Sequence, residues 1–391
     1  IKREEFAAIL MRHPFISFDH GNGLYQYQVM YHEFLRGRQN LLSMESRIDT
    51  MAYAGRWFLG HKMLNEAMDC FWEAADYDGY LEVVGALPRV RQPATITNRI
   101  LDRLEQIPRS YADAHIEVKF CIAFMHINAA SMHKARELLL EVVSTLEGQP
   151  ISDEQHMLLG DTYAALADIA TYLNEDTGLA WIKKAYKQVP NGTRIHTAEL
   201  LALGNNTMFF LPGKEAGQLE HMVEYFHEYS KYADAIKNGC GLGYNYLYAG
   251  EAAYLREEMD EATALFNSAI QKARHSGQHD IICNAIYNLG RIELYYGNHK
   301  KALAMLGEME KYVEENFLVG MRELRDCIVA YFYVRLGDVD KIPTWFGDMT
   351  QGPESIPVTV ARKQITSAYY LHAKGEGAKA FAVLLPLEEL V

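Results

Sequence analysis

Tyrosine is the residue type that stands out for chemistry, at 25 copies in 391 residues. Its ring offers flat apolar surface and its hydroxyl a polar handle. Tyrosines beside Arg, Glu and Asn suit a small polar ligand or a peptide, and a sugar is a reasonable class on that chemistry. Catalytic patterns are missing. The chain has no GxSxG, no HExxH and no EF-hand loop, so it is expected not to be an enzyme, with no metal and no cofactor in this segment. His115, Cys121, His126 and His133 fall close together, but their spacing is loose for metal ligands, and scattered core or surface residues is the better reading. Gly239-Cys240-Gly241-Leu242-Gly243 has no strand before it. It is expected to start the helix that carries Tyr244 rather than to cradle phosphate.

The elements that must position these side chains repeat. Gly250 is followed twelve residues later by Ala262, then by Phe266 and Ala269; Gly290 is followed likewise by Ala302, Leu306 and Met309. A small residue on a first helix lets a second helix approach closely. Residues four and seven apart share one helical face. The spacing recurs at Gly55, Ala67, Phe71 and Ala74, and at Ala123, Ala135, Leu139 and Val142. It returns at Leu166, Gly178, Ile182 and Ala185, closed by Pro190, then at Ala330, Ile342, Phe346 and Met349, and at Ala368, Ala380 and Leu384. Residues 78–100 hold a short helix and the breakers Pro88 and Pro93; residues 194–238 fit two helices, interrupted by the loop from Phe209 to Gly213. About eight helix pairs with a period near forty result, the pattern of a stacked helical array. Gly297, Gly337 and Gly375 precede the small-residue slot by five and are expected to end first helices with positive φ. Asp338 and Glu376 follow two of them and are expected to help start the next helix.

Composition limits the partners. Net charge is −13, and the basic residues are scattered, which argues against direct contact with nucleic acid or an anionic membrane. Five cysteines without a CxxC pair, no signal peptide and no apolar run of membrane-spanning length point to a reduced cytoplasmic compartment. The chain starts at Ile1 inside a helical pattern and ends on an apolar run, so it is expected to be a piece of a longer polypeptide.

Residues 1–43 differ from the rest. Lys2 to Met11 reads as an amphipathic helix. Phe15 to Phe18 and Leu24 to Tyr27 alternate like strands, with turn residues from Asp19 to Gly23 between them. A helix with Val29, Met30, Phe34 and Leu35 on its apolar face follows. Helix, hairpin, helix suggests the tail of a winged-helix unit, with a hairpin that caps the array as the alternative.

The Gly/Ala–Ala–Phe–Ala pattern is similar to the tetratricopeptide repeat, with a longer period. That resemblance implies an all-α right-handed superhelix of such helix pairs over residues 44–391, with the winged-helix-like remnant before it. It also implies a groove lined by positions two, five, nine and twelve of each first helix. Carried over, these are Tyr244, Leu247, Glu251 and Tyr254; Asn284, Tyr287, Arg291 and Leu294; Tyr331; then Arg362, Tyr369 and His372. The alternative for each tyrosine is packing between helices with its hydroxyl at the rim.

A sharper resemblance covers residues 14–85. "HPFISFDHGNGLYQYQVMYHEFLRGR" and "RIDTMAYAGRWFLGHKMLNEAMDCFWEAADYDGYLEVVG" resemble the junction in MalT-like LuxR-family, STAND-type transcription regulators. Tyr25, Tyr27, Met30, Glu33, Phe34 and Leu35 match the family's strand pair and following helix. Trp57, Phe58, Ala67, Ala74, Asp76 and Tyr77 match its first repeat. Gln28 stands where the family often has a His, a departure that sets aside any nucleotide-sensing role the resemblance would imply at this position. The resemblance implies a bacterial sensor region that binds a small-molecule inducer or a regulatory protein. ATP would belong to an upstream domain, DNA contact to a C-terminal one, and self-association is possible. Neither a G-x4-G-K-[ST] loop nor a basic helix-turn-helix lies in this chain. The alternative function is a peptide- or protein-binding scaffold with no signalling ATPase.

Overall fold

The computed structural model describes residues 9, 10, 12–19, 24–38, 41–87, 94–129, 131–173, 175–194, 217–316, 322–342 and 357–385. The chain divides into two compact units, Ile1–Leu87 and Pro88–Val391. The Lys2 to Met11 helix and the hairpin turn at 20–23 lie largely outside the described residues. So do Pro88, Pro93, the 209–213 loop, Phe346, Met349 and the chain beyond 385.

In the first unit, β1 (Ile16–Asp19) pairs antiparallel with β2 (Leu24–Tyr27), Phe18 opposite Tyr25. α1 (Val29–Arg36) follows, and its Tyr31 stacks on Phe15 at 4.7 Å between ring centroids. Three helices come next: α2 (Met44–Gly60), α3 (Leu64–Glu73) and α4 (Tyr77–Ala86). Ser43 caps α2 by accepting the Ser46 N–H, and Asp76 caps α4 by accepting the Gly79 N–H. Phe71 on α3 is 1% exposed, wedged between two glycines. A Cβ at Gly55 would lie 2.8 Å from its ring, and one at Gly79 only 2.5 Å. The small-residue slot therefore exists to admit an aromatic ring.

The second unit is a succession of helices: α5 (Ala94–Glu105), α6 (Arg109–Ala112), α7 (Ile116–Asn128), α8 (Met132–Leu146), α9 (Asp153–Tyr172), α10 (Gly178–Gln188) and α11 (Leu219–Ile236). It continues through α12 (Tyr244–Leu255), α13 (Met259–His275), α14 (His279–Tyr295) and α15 (His299–Glu315). α16 (Arg322–Leu336), a 3-10 turn at Val339–Lys341, α17 (Pro357–Ala373) and α18 (Gly377–Leu384) complete it. Each helix packs chiefly on its neighbours in sequence, the arrangement of TPR-like helix pairs. Of the two helices expected in residues 194–238, α11 is the one that falls among the described residues.

The repeat positions form the core. Ala262, Phe266 and Ala269 are fully buried, as are Ala302 and Met309, with Leu306 at 4% exposure. Gly250 faces Phe266 of its own pair, 2.8 Å from where its Cβ would stand. Gly290 differs: the ring it admits is Phe332, on α16 of the next pair, at 2.9 Å. Leu306 is shorter than Phe266, and the space is filled from the following helix. Gly297, Gly337 and Gly375 have φ of 72°, 77° and 80°, as their position predicts. In earlier pairs the same slot is held by Lys62 and Glu257, at φ 61° and 63°. Asp338 and Glu376 do not cap with their side chains. Their backbone N–H groups bond back to Tyr333 and Leu371, and their carboxylates pair with Lys341 and Lys379. The left-handed glycine returns the backbone to the preceding helix and leaves the acid turned to a lysine.

Candidate functional site

Three first helices, α12, α14 and α16, carry the aromatic and charged stripe. Its centre is Arg291, half-buried on α14. The guanidinium carbon sits 4.3 Å from the Tyr254 ring centroid and 5.6 Å from that of Tyr287. Nη1 donates to Asn288 Oδ1 at 2.9 Å. Asn288 in turn donates through Nδ2 to Glu251 Oε1 at 3.1 Å and to the Asn284 carbonyl at 3.0 Å. Glu251 is 3% exposed and Asn288 fully buried. A charge placed this deep needs a partner, and Asn288 relays Arg291 to Glu251 across the two helices. Burial opposes the charge on Arg291, but the surrounding Tyr287, Tyr254, Tyr331 and Glu251 outweigh it and raise its pKa.

The tyrosines divide by role. Tyr287 is 2% exposed and packs edge-on to Tyr331 at 6.3 Å and Phe332 at 6.0 Å. It is as much core as site. Tyr254 and Tyr331 are half-buried and border Arg291 and Tyr287. Leu247 and Asn284 are buried, while Leu294 is partly exposed. Tyr369 is 54% exposed on α17 and has none of the cluster's ring contacts or hydrogen bonds. His372 is exposed too, and the side chain of Arg362 lies outside the described residues.

Tyr244 belongs to a different network. Its hydroxyl donates to Asp280 Oδ2 at 2.9 Å, and its ring stacks on Tyr248 at 5.8 Å. Tyr248 continues onto Phe226 at 4.0 Å. One step further in sequence space, Lys237 pairs with Asp168, which also accepts the Tyr229 hydroxyl at 2.7 Å. Burial pushes the Tyr244, Tyr248 and Tyr229 hydroxyls well above their usual range. The same burial raises the Asp280 carboxyl, against its bonds from Tyr244 and the backbone. It also pushes the Cys283 thiol up to about 12, with Asp280 adding to the effect. Gly243, at φ 110°, starts the helix that bears Tyr244, as the glycine-rich stretch predicts.

Asn288, Asp280, Tyr248, Asp168 and Lys237 escaped the sequence reading. A signal existed for two of them: Asp280, Asn284 and Asn288 recur every four residues through the apolar run from Ile281 to Leu289. That run marks a buried polar stripe. Among the described residues no group of three His, Cys, Asp or Glu side chains is placed to hold a metal, and no helix is long and apolar enough to cross a membrane. None of the five cysteines is in a disulfide, and three of them are buried.

What the arrangement offers is a guanidinium held between aromatic faces. Its fork of donors matches a carboxylate, a phosphate or a polar ring, and the adjoining rings supply apolar surface. No family model matches the chain, and no curated protein matches it. Among solved structures it is similar to a signal transduction ATPase with numerous domains (STAND) protein with a tetratricopeptide repeat sensor, from Pyrococcus horikoshii. That likeness has 14% sequence identity and a TM-score of 0.48, and it covers 98% of this chain and 59% of that protein.

Proposed function

We propose that this chain is the sensor region of a LuxR-type transcription regulator. A small-molecule inducer or a regulatory protein engages the stripe around Arg291. Binding there shifts an attached ATPase between resting and assembling states, which requires different affinity for the two states. DNA contact belongs to a further domain. The observation that carries the sensor part is Arg291 between Tyr254 and Tyr287, braced by the Asn288 relay to Glu251. A half-buried cation supported this way presents a fixed donor geometry rather than a loose surface charge.

The regulator part rests on the resemblance of residues 14–85, and the full-length gene tests it. A G-x4-G-K-[ST] loop upstream together with a helix-turn-helix downstream is the expected result. A full-length gene without either would reduce the chain to a binding scaffold. The sensor part is tested at Arg291 and Tyr254. Tyr287 is a poor probe, since its truncation removes core packing worth about 3–5 kcal/mol.

A further inference from the structure

One side chain ties the Arg291 stripe to the pair that follows it. Phe332 of α16 is 1% exposed, and the tip of its ring enters the slot at Gly290. A Cβ there would stand 2.9 Å from Cζ and 3.1 Å from Cε1. Gly290 directly precedes Arg291. The same ring lies edge-on to Tyr287, at 6.0 Å between centroids, and to Tyr331 at 5.9 Å. Tyr287 stands one turn before Arg291 on the same helical face, its ring centroid 5.6 Å from the guanidinium carbon. Phe332 therefore touches the residue before Arg291 and one of the two rings that flank it. Consecutive helical residues point about 100° apart, so α16 sets Tyr331 at the border of the stripe and Phe332 beneath it.

The preceding pair is built otherwise. Phe266 fills the slot at Gly250 from α13, the second helix of the same pair, and so moves with the pair it supports. Phe332 moves with α16. Close-packed interiors have few voids and pass a displacement on to their neighbours. A shift of α16 therefore reaches Tyr287 and Gly290 together, on both sides of Arg291 in the chain. We infer that Phe332 is a positioning residue for the Arg291 stripe, tying the geometry of the site to the seating of the α16 pair. By linkage, a ligand held at the stripe alters the seating of α16 in return. The inference rests on the sensor reading of that stripe.

Two variants of the full chain break the tie without emptying the slot. In Leu306→Phe combined with Phe332→Leu, the slot is filled from the second helix of its own pair, as Phe266 fills Gly250. In Gly290→Ala, the added methyl closes the slot to the Phe332 ring, which keeps the test open if the exchanged pair fails to fold. The perturbation is Leu371→Ala on α17, at a 4% exposed residue that packs in one cluster with Ala330 of α16. The readout is hydrogen exchange at the Arg291 side-chain N–H, followed by NMR, which needs no ligand. In the parent, Leu371→Ala is expected to speed that exchange by about fivefold or more, with the backbone amides of α9 changing by less than about twofold. In the uncoupled chains the same substitution is expected to change it by less than about twofold. No acceleration in the parent, or equal acceleration in the parent and an uncoupled chain, would overturn the inference. So would an equal effect on the α9 amides, which would mark a general loss of stability. A stripe that binds no ligand would leave the exchange result standing, so the two readings fail separately.

Discussion

At the scale of single residues, buried polar groups govern the energetics. Asn288 has no exposure and joins Glu251 to Arg291. Asn288→Ala is expected to destabilise the chain by about 2–3 kcal/mol, because two charged neighbours lose their bridge at once. Urea unfolding measures it, and combination with Arg291→Ala should cost much less than the sum of the two changes. Asp280 gives a pH-dependent case. Its folded pKa lies above the unfolded value because burial disfavours the charge. The folded state therefore holds the proton more tightly. The stability that Asp280 contributes is complete below the unfolded carboxylate pKa and is lost as pH rises through the folded one. Asp280→Asn is expected to be more stable than the parent at pH 8, with the gap closing toward pH 4. A gap that widens on acidification would show the carboxylate to be stabilised as an anion.

At the scale of helices and turns, the left-handed residue between paired helices is the recurring device. Gly297 occupies it at φ 72°, Glu257 at φ 63°. A side chain there is strained by roughly 1–2 kcal/mol. Gly297→Ala is expected to lower stability by about 1 kcal/mol, and Glu257→Gly to raise it by a smaller amount, since glycine also loosens the unfolded chain. Thermal melts of the two variants should move in opposite directions. Much of this level was legible in the sequence. The interval from Gly250 to Phe266 names a contact within one pair, and local spacing suffices to find it. Gly290 meeting Phe332 was not legible, because that contact joins separate pairs and depends on which side chain is long enough to fill the gap. The same limit hid the Asn288 to Glu251 bond, whose partners lie 37 residues apart. Tyr244, placed by its position in the ligand stripe, gives its hydroxyl instead to Asp280, itself buried one helix pair later.

At the scale of the whole chain, stability follows from stacking, and the proposed binding stripe is assembled by it. The core is shared between pairs: the cluster around Phe266 runs from Leu247 to Phe332, across successive pairs. Phe266→Ala is expected to remove about 3–5 kcal/mol, and hydrogen exchange should show the loss concentrated in α12 to α14 rather than spread evenly to α9 and α10. The same stacking sets first-helix side chains of neighbouring pairs side by side, so a site can be assembled from Tyr254 and Arg291, residues far apart in sequence. The central claim is that this assembled stripe binds a ligand, and a thermal-shift screen tests it most directly. The panel holds neutral sugars, sugar phosphates and small carboxylic acids, run against the parent chain and Arg291→Ala. At saturating ligand, at least one compound is expected to raise the parent's melting temperature by about 2 °C or more and to leave Arg291→Ala unmoved. A hit that shifts both proteins equally, or a panel that shifts neither, would contradict the assignment of the stripe.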